Sequence, residues 1–334
     1  MYGSKGVANA SNVPGARERS ISWIDSNDTL WLFGGYGWNN GSGGFLNDLW
    51  KYDGVNWIWV SGNYLENQLG TYGIKGMPNA NNVPGDRAES ISWIDSNDTL
   101  WLFGGYGYDN VTGPDYLNDL WKFDITSELW TWVSGSYSLN QSGTYGTKGV
   151  PDANNVPGGR AESVSWIDSN DTLWLFGGYG FDNASLGELN DLWKYDSVNW
   201  TWESGYNTKE HQGTYGTKGV ADANNVPGSR KGAVSGIDSG GNFWLFGGFG
   251  GGSTGVGWLN DLWKYDGANW TWVSGNFLVD QYGTYGTKGV ADANNVPGGR
   301  FGSVSGIDSG GNFWLFGGQD NSIVILMTYG NMTV

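Results

Sequence analysis

The string Val-Pro-Gly-x-Arg recurs five times along the 334-residue chain, and its arginines are separated by 70, 73, 70 and 70 residues. A pair of glycines keeps the same spacing, from Gly34-Gly35 to Gly317-Gly318. A Leu-Asn-Asp-Leu-Trp block and the Trp-x-Trp pair that follows it occur only four times. A fixed period of this kind indicates a repeat architecture. The chain therefore contains four full units and a fifth that departs from the pattern after Gly318.

Each unit predicts four short β-strands. In the third unit the β-rich runs are residues 163–168, 172–177, 191–195 and 199–203, and none has helical periodicity. Tight, turn-forming connections of hairpin length join the first two runs and the last two. Four antiparallel strands repeated around an axis are typical of a β-propeller blade. A solenoid of such units is the alternative architecture.

The strands carry a recognisable pattern: a double glycine ends the second, a tyrosine lies in the third (Tyr52, Tyr195, Tyr265; Phe123 in the second unit), and a tryptophan opens the fourth. This pattern resembles the kelch signature up to Gly318. The resemblance implies an all-β, kelch-like β-propeller, the class that includes the central domain of galactose oxidase. The chain departs from that family in its longer units and smaller number of units. We predict five blades of about four antiparallel strands, with the fifth blade incomplete.

The extra length of each unit lies in two connections. One joins the second strand to the third, and the other joins successive blades; because strands alternate in direction, both emerge on the same face. Loops on a rigid scaffold are where binding usually resides. We predict a single repeat domain over residues 1–334 with long inter-blade loops and blades at about residues 18–62, 88–134, 161–205, 231–275 and 301–334.

Aromatic residues fall into two groups. Tryptophans within the strands, such as Trp31, Trp50, Trp57 and Trp59, recur in every unit, which favours packing between blades over sugar stacking. Aromatics in the elaborated loops differ between units, which suits carbohydrate or protein recognition, with packing into local loop cores as the alternative. The candidate ligand-binding residues are Tyr36, Trp38, Tyr106, Tyr108, Tyr179, Phe181, Phe249 and Trp258.

The recurring arginine has two readings. It forms either an anion-binding cluster or an ion pair with a carboxylate of the next blade, and recurrence in every unit favours the ion pair. The carboxylates at a matching spacing are Asp48, Asp119, Asp191 and Asp261.

Cofactor chemistry is restricted by composition. The chain has no Cys and a single His (His211), which excludes disulfides and multi-His metal sites, and with them the ligands of the kelch-type copper oxidase. Oxygen-rich loops make calcium a weaker option, with Asp152, Asp222 and Asp292 as candidates. A glycan-active enzyme with paired carboxylates would need two unlike acids, and no acid stands out as unique to one unit. We therefore expect no enzymatic activity and no required cofactor.

Charge and sequons bear on location and partners. A net charge of −16 counts against nucleic acid and anionic membranes as partners, and no apolar run reaches the length of a membrane span. The N-terminal residues lack the apolar run of a signal peptide. Asn-x-Ser/Thr sequons are nonetheless frequent, which suits an extracellular or cell-surface glycoprotein, although turn chemistry also explains them. The glycosylation candidates are Asn27, Asn40, Asn97, Asn110, Asn140, Asn170 and Asn183.

The fifth unit lacks its Asn-Asp-Leu-Trp block, and residues 322–329 can supply its third strand. Three arrangements fit: a ring closed by a thin blade, part of a longer repeat protein, or an open edge that meets another subunit. The leading hypothesis is a secreted or surface binding and adhesion scaffold for a protein or carbohydrate. The first alternative is a glycosylated fibre subunit assembled through residues 323–327. The second is a carboxylate-dependent glycan-active enzyme.

Overall fold

The computed structural model describes residues 1–39, 42–320 and 329–333. Its contacts divide the chain into two compact units, which are described separately. Unit 1 comprises Met1–Thr144 and Asn154–Ala161, and unit 2 comprises Tyr145–Ala153 and Glu162–Val334. None of the described segments forms a helix with the length and apolarity needed to cross a membrane. The prediction of one repeat domain concerns how the two units are joined, and it stays a prediction.

Unit 1 contains two antiparallel sheets, one for each of the first two repeats. Each is a meander of four strands, β2 to β5 and β7 to β10, with a short strand from the Val-Pro-Gly-x-Arg string paired to the far end of β3 or β8. The strands are β1 (Arg17–Glu18), β2 (Ile21–Ile24), β3 (Leu30–Asn39), β4 (Ser42–Tyr52), β5 (Trp57–Ser61), β6 (Arg87–Ala88), β7 (Ile91–Ile94), β8 (Leu100–Gly107), β9 (Asp115–Asp124), β10 (Leu129–Ser134) and β11 (Arg160–Ala161).

Unit 2 contains the corresponding sheets of the third and fourth repeats and a three-stranded sheet, β23-β24-β25, from the fifth. The predicted four-stranded antiparallel pattern is therefore confirmed. The strands are β12 (Val164–Ile167), β13 (Leu173–Phe181), β14 (Leu186–Tyr195), β15 (Trp200–Ser204), β16 (Arg230–Lys231), β17 (Val234–Ile237), β18 (Phe243–Phe246), β19 (Phe249–Gly251), β20 (Val256–Trp258), β21 (Leu262–Tyr265), β22 (Trp270–Ser274), β23 (Val304–Ile307), β24 (Asn312–Phe316) and β25 (Tyr329–Thr333).

The connection between the second and third strands is not the loop that was predicted. In the first repeat β3 and β4 continue pairing past the double glycine, through Tyr36↔Phe45 and Trp38↔Gly43. We call these paired segments beyond the double glycine the hairpin extensions. Most of the candidate aromatics that were predicted in loops lie instead on these strands. They are Tyr36, Trp38, Tyr106, Tyr179, Phe181, Phe249 and Trp258, whereas Tyr108 directly follows β8.

The double glycine explains this difference. Gly34 and Gly35 both have positive φ, at 63° and 98°, and the ladder shifts register between Phe33 and Gly35. A bulge of this kind bends a strand without ending it. A Cβ on Gly34 would lie 2.8 Å from the backbone oxygen of Arg87, so a side chain there would also meet the next repeat. The glycines therefore redirect the second strand and allow pairing to resume.

The strand tryptophans form the core, as predicted. In unit 1, Trp31 packs on Phe123 and Phe33 packs on Trp130, with ring centroids 5.8 and 5.4 Å apart. Trp50 is fully buried, whereas Trp57 at the start of β5 is only half-buried. Since Trp31 and Phe33 belong to the first sheet and their partners to the second, these rings join successive repeats rather than offering a sugar platform.

A buried polar network confirms the structural reading of the recurring arginine. In the second repeat Arg87 donates to both oxygens of Asp119, at 2.7 and 2.8 Å. Tyr72 Oη and Trp121 Nε1 also donate to Asp119 Oδ2, at 2.6 and 2.7 Å. Arg87 and Asp119 lie in the same repeat. The prediction that the arginine pairs with a carboxylate of the next blade is therefore corrected: the pair forms within one repeat. The same set recurs as Tyr2, Arg17, Asp48 and Trp50 and as Tyr215, Arg230, Asp261 and Trp263.

The long segments between blades are packed structure. Lys75 lies over the Trp132 ring at 4.4 Å and donates to the Gly135 carbonyl at 2.7 Å. Asn82 Nδ2 donates to the carbonyls of Met77 and Trp130. These contacts attach the segment between the first and second blades to the second sheet.

The fifth repeat differs from its prediction. Its third strand is β25, which pairs with β24 from Phe316↔Tyr329 to Asn312↔Thr333, so this strand begins where the predicted strand at residues 322–329 ends. Residues 321–328 lie outside the described residues, and with them the assembly edge proposed at residues 323–327.

Candidate functional site

Partly exposed aromatic rings meet on the hairpin extensions of unit 1. Phe45 contacts Tyr36, Tyr106 and Tyr108, with ring centroids 5.2, 5.8 and 6.1 Å apart. Tyr106 in turn contacts Tyr116 at 5.1 Å. We call these five residues the aromatic row. The first and second repeats both contribute to it, so the row is a surface that a single repeat cannot form.

Backbone pairing fixes the row in place. Asn67 has positive φ (61°), donates its N–H to the Phe45 carbonyl at 3.0 Å, and accepts the Phe45 N–H on its side-chain oxygen at 3.1 Å. Asn140 pairs with Tyr116 in the same way, through an N–H···O bond of 2.8 Å. The row therefore combines exposed rings with a backbone held on both sides.

Among the predicted ligand-binding residues, Tyr36, Tyr106 and Tyr108 are brought together in the row. Trp38 lies on the same extension and is 65% exposed. The remaining four lie in unit 2, where Phe249 and Trp258 form an edge-to-face pair at 5.2 Å and Tyr179 carries Lys231 over its ring at 4.6 Å. Phe181 ends β13.

A buried carboxyl group lies beside the row. Asp86 has no exposed surface, and neither of its carboxyl oxygens has a hydrogen-bond partner among the described residues. Its backbone carbonyl accepts the Tyr108 N–H at 2.8 Å, next to the pairs Arg87↔Gly107 and Ala88↔Tyr106. Because side chains alternate along paired strands, Asp86, Tyr106 and Tyr108 lie on one sheet face.

A second acid flanks the same backbone. The Asp86 N–H donates to the Gln68 carbonyl at 3.0 Å, and Glu66 lies two residues before Gln68. Glu66 Oε1 is buried without a hydrogen-bond partner in the described part of the chain. Two acids with unsatisfied oxygens thus adjoin the segment that holds the row.

Burial sets the protonation of Asp86. It raises the pKa of this carboxyl group to about 8. The negative charge of Asp48 raises the pKa further, whereas the backbone amides of Gln68 and Asn67 and the guanidinium of Arg87 lower it. Neither amide reaches hydrogen-bond geometry with the carboxyl oxygens. Burial also raises the pKa of Tyr108, and the charge of Asp86 adds to this effect. The two side chains therefore interact electrostatically.

The recurring motifs do not point to Asp86, Glu66, Phe45 or Tyr116. The expectation that no acid stands out as unique to one unit is wrong for Asp86, whose buried carboxyl group has no hydrogen-bond partner among the described residues. A signal was present in the repeats: the position of Asp86 holds Ala16, Gly159, Ser229 and Gly299 elsewhere, and that of Glu66 holds Leu139, Lys209 and Val279. Both acids are departures from the repeat, and a search for shared motifs passes over departures.

The structure does not test the predicted calcium and glycosylation sites. Asp222 and Asp292 accept hydrogen bonds from Asn224 and Asn294 as turn residues, and the described residues contain no group of three acids or histidines placed to hold a metal. Calcium at Asp152, Asp222 or Asp292 stays a prediction. Glycosylation also stays a prediction: Asn40 lies outside the described residues, and the exposed candidates are Asn27, Asn97, Asn110, Asn140, Asn170 and Asn183.

Comparison with known proteins supplies the fold family. No protein-family model matches the chain. It is 27% identical to Kelch domain-containing protein 3 of Bos taurus over 199 residues, and 26% identical to the Homo sapiens protein over the same length. Each match covers 58% of this chain and 42% of the relative. Mei4-dependent protein 6 of Schizosaccharomyces pombe is 26% identical over 178 residues, which cover 52% of this chain and 21% of that protein.

A solved structure agrees with these relatives. The structure of YjhT superposes with a TM-score of 0.59 at 15% identity, over 97% of this chain and 84% of that one. The chain spans less than half the length of the curated relatives it matches. The relatives, the structural neighbour and the repeated antiparallel four-stranded sheets together show that this chain has an all-β, kelch-like β-propeller fold.

Proposed function

We propose that the chain is a non-enzymatic binding scaffold that holds a protein partner on the aromatic row of unit 1. The observation that carries the proposal is the row itself: partly exposed rings, drawn from two repeats, on strands held by backbone pairing. Rigid tyrosines supply large contact area at low entropic cost, and such residues dominate binding energy at protein interfaces. Trp38, with most of its surface exposed, extends the same surface.

Location outside the cell is part of the proposal. The turn carrying Asn27 recurs with Asn97 and Asn170, and all three residues are exposed. Intact-mass measurement of the native protein before and after N-glycosidase treatment tests this part. A mass equal to that of the polypeptide in both samples would contradict it.

A selection experiment tests the binding role. Random dodecapeptides displayed on phage are selected on the immobilised protein, and the enriched peptides are titrated against Tyr36→Ala, Tyr106→Ala and a matched control in unit 2, Trp258→Ala. We expect the two row variants to lose about tenfold or more in affinity, and the control to retain it. Equal binding to all variants would refute the proposal. Binding only to a glycan array, abolished by the row variants, would replace the protein partner with a carbohydrate.

A further inference from the structure

The most unusual feature of the described residues is a carboxyl group buried without a partner. Buried polar groups are almost always hydrogen-bonded, because an unpaired one loses its hydration without compensation. Asp86 has two such oxygens, and Glu66 nearby has another. Neither acid is required by the repeat, since the other periods fold with small, apolar or basic residues at these positions. Positions that break a local rule without compensation are those at which function is expected.

The surroundings of Asp86 indicate the class of ligand. Tyr106 and Tyr108 share its sheet face, and Phe45 contacts both rings. The faces of aromatic rings attract cations, most strongly where water is excluded. A carboxyl group beside such rings suits an organic cation better than a hard metal ion, which needs several oxygen ligands.

We propose that Asp86 and the aromatic row form a site for an alkylammonium group, the end of a lysine side chain on the bound protein. This inference rests on the proposed function and names the chemistry of the same surface. The chain's net charge of −16 complements a basic partner and attracts it over distance. The ammonium group enters beside Tyr108, which is partly exposed and lies opposite Asp86.

Binding at this site involves a proton. The charged and titratable groups that influence Asp86 are Asp48, Arg87 and Tyr108, together with the amide dipoles of Asn67 and Gln68. At neutral pH the carboxyl group holds its proton, because burial raises its pKa to about 8. When the ammonium group binds, that proton leaves for the solvent, and the resulting carboxylate pairs with the cation. Affinity should therefore rise about tenfold per pH unit between pH 6 and 7 and level off above about pH 8.

A pair of matched small probes tests the site. Nα-acetyl-lysine N-methylamide and its norleucine counterpart differ by the ammonium group alone, and each is titrated into the full chain by NMR at pH 6, 7 and 8.5. The variants are Asp86→Ser, which installs the residue found in the fourth repeat, and Asp86→Asn, which keeps the shape of the side chain. Asp98→Ser removes a different acid of unit 1 and serves as the control.

We expect the lysine probe to bind at least tenfold more tightly than the norleucine probe at pH 8.5. This preference should vanish in both Asp86 variants and persist in Asp98→Ser. Equal binding of the two probes, no binding of either, or a preference that survives Asp86→Ser would overturn the inference. These failures leave the proposed function intact, because the phage selection does not depend on lysine. The proposed function fails instead when the row variants bind the selected peptides normally.

Discussion

Asp119 and Asp86 are both fully buried carboxyl groups of unit 1, yet their surroundings are opposite. Asp119 accepts hydrogen bonds from Arg87, Tyr72 and Trp121, whereas neither oxygen of Asp86 has a partner among the described residues. The first environment recurs in other repeats and the second does not. Regularity in this protein therefore marks what stabilises each repeat, and departure from it marks what the fold alone does not require.

The largest expected change in stability comes from removing Asp119, the carboxyl group whose hydrogen bonds are satisfied. Asp119→Ala leaves the buried guanidinium of Arg87 without its carboxylate, and removing one partner of a buried ion pair typically costs about 3–5 kcal/mol. We expect the free energy of unfolding, measured by urea titration with tryptophan fluorescence, to fall by that amount.

Glu128→Gln is the matched control, because Glu128 pairs with Lys51 on the surface at 2.9 Å. Exposed pairs contribute about 0–1 kcal/mol. Equal effects of the two substitutions would show that the network does not hold the repeat together.

Replacing Asp86 should change the free energy of unfolding in the opposite direction. The pKa of Asp86 in the folded state, about 8, lies above its ordinary value of 3.8, so the folded protein keeps a proton that the unfolded chain releases between these pH values. The free energy of unfolding therefore falls as pH rises from about 4 to about 8. Asp86→Ser removes this dependence and should stabilise the fold at pH 7 by about 2–4 kcal/mol.

The measurement is urea unfolding of the wild-type protein and Asp86→Ser at pH 4, 6 and 8. The stability difference should be smallest at pH 4 and largest at pH 8. A constant difference across this range would show that Asp86 does not titrate as described.

The smallest effect concerns the inter-blade segment. Lys75 combines a cation–π contact with Trp132 and a hydrogen bond to the Gly135 carbonyl. Lys75→Met keeps the aliphatic stem but removes both interactions, at an expected cost of about 1 kcal/mol. Thermal unfolding monitored by near-UV circular dichroism detects the change. An unaltered melting temperature would show that these contacts of Lys75 do not stabilise the protein.

The repeated part of the molecule could be predicted from the sequence because each signal occurs four or five times. The burial of Trp50, and the pairing of the recurring arginine with an aspartate of the Asn-Asp-Leu-Trp block, follow from recurrence and side-chain chemistry. Recurrence did not show that the two partners belong to the same repeat, because every repeat offers the same aspartate. The hairpin extensions could not be predicted, because Gly34-Gly35 is identical in sequence whether it ends a strand or bulges it. Glu66 and Asp86 could not be recognised as unsatisfied, because hydrogen-bond partners depend on residues distant in the chain.

The buried network has a consequence for how such a chain grows. The tyrosine, arginine, aspartate and tryptophan of each set come from one 70-residue stretch, as in Tyr72, Arg87, Asp119 and Trp121. A gene segment cut at two neighbouring Thr-Tyr-Gly strings, among those that begin at Thr71, Thr144, Thr214 and Thr284, would carry a whole set and divide none. Unequal exchange between copies would then add or remove a period without leaving a guanidinium unpaired. The residues of a set are also close together in the sequence. Each newly synthesised period can therefore form its own set before the next period emerges from the ribosome.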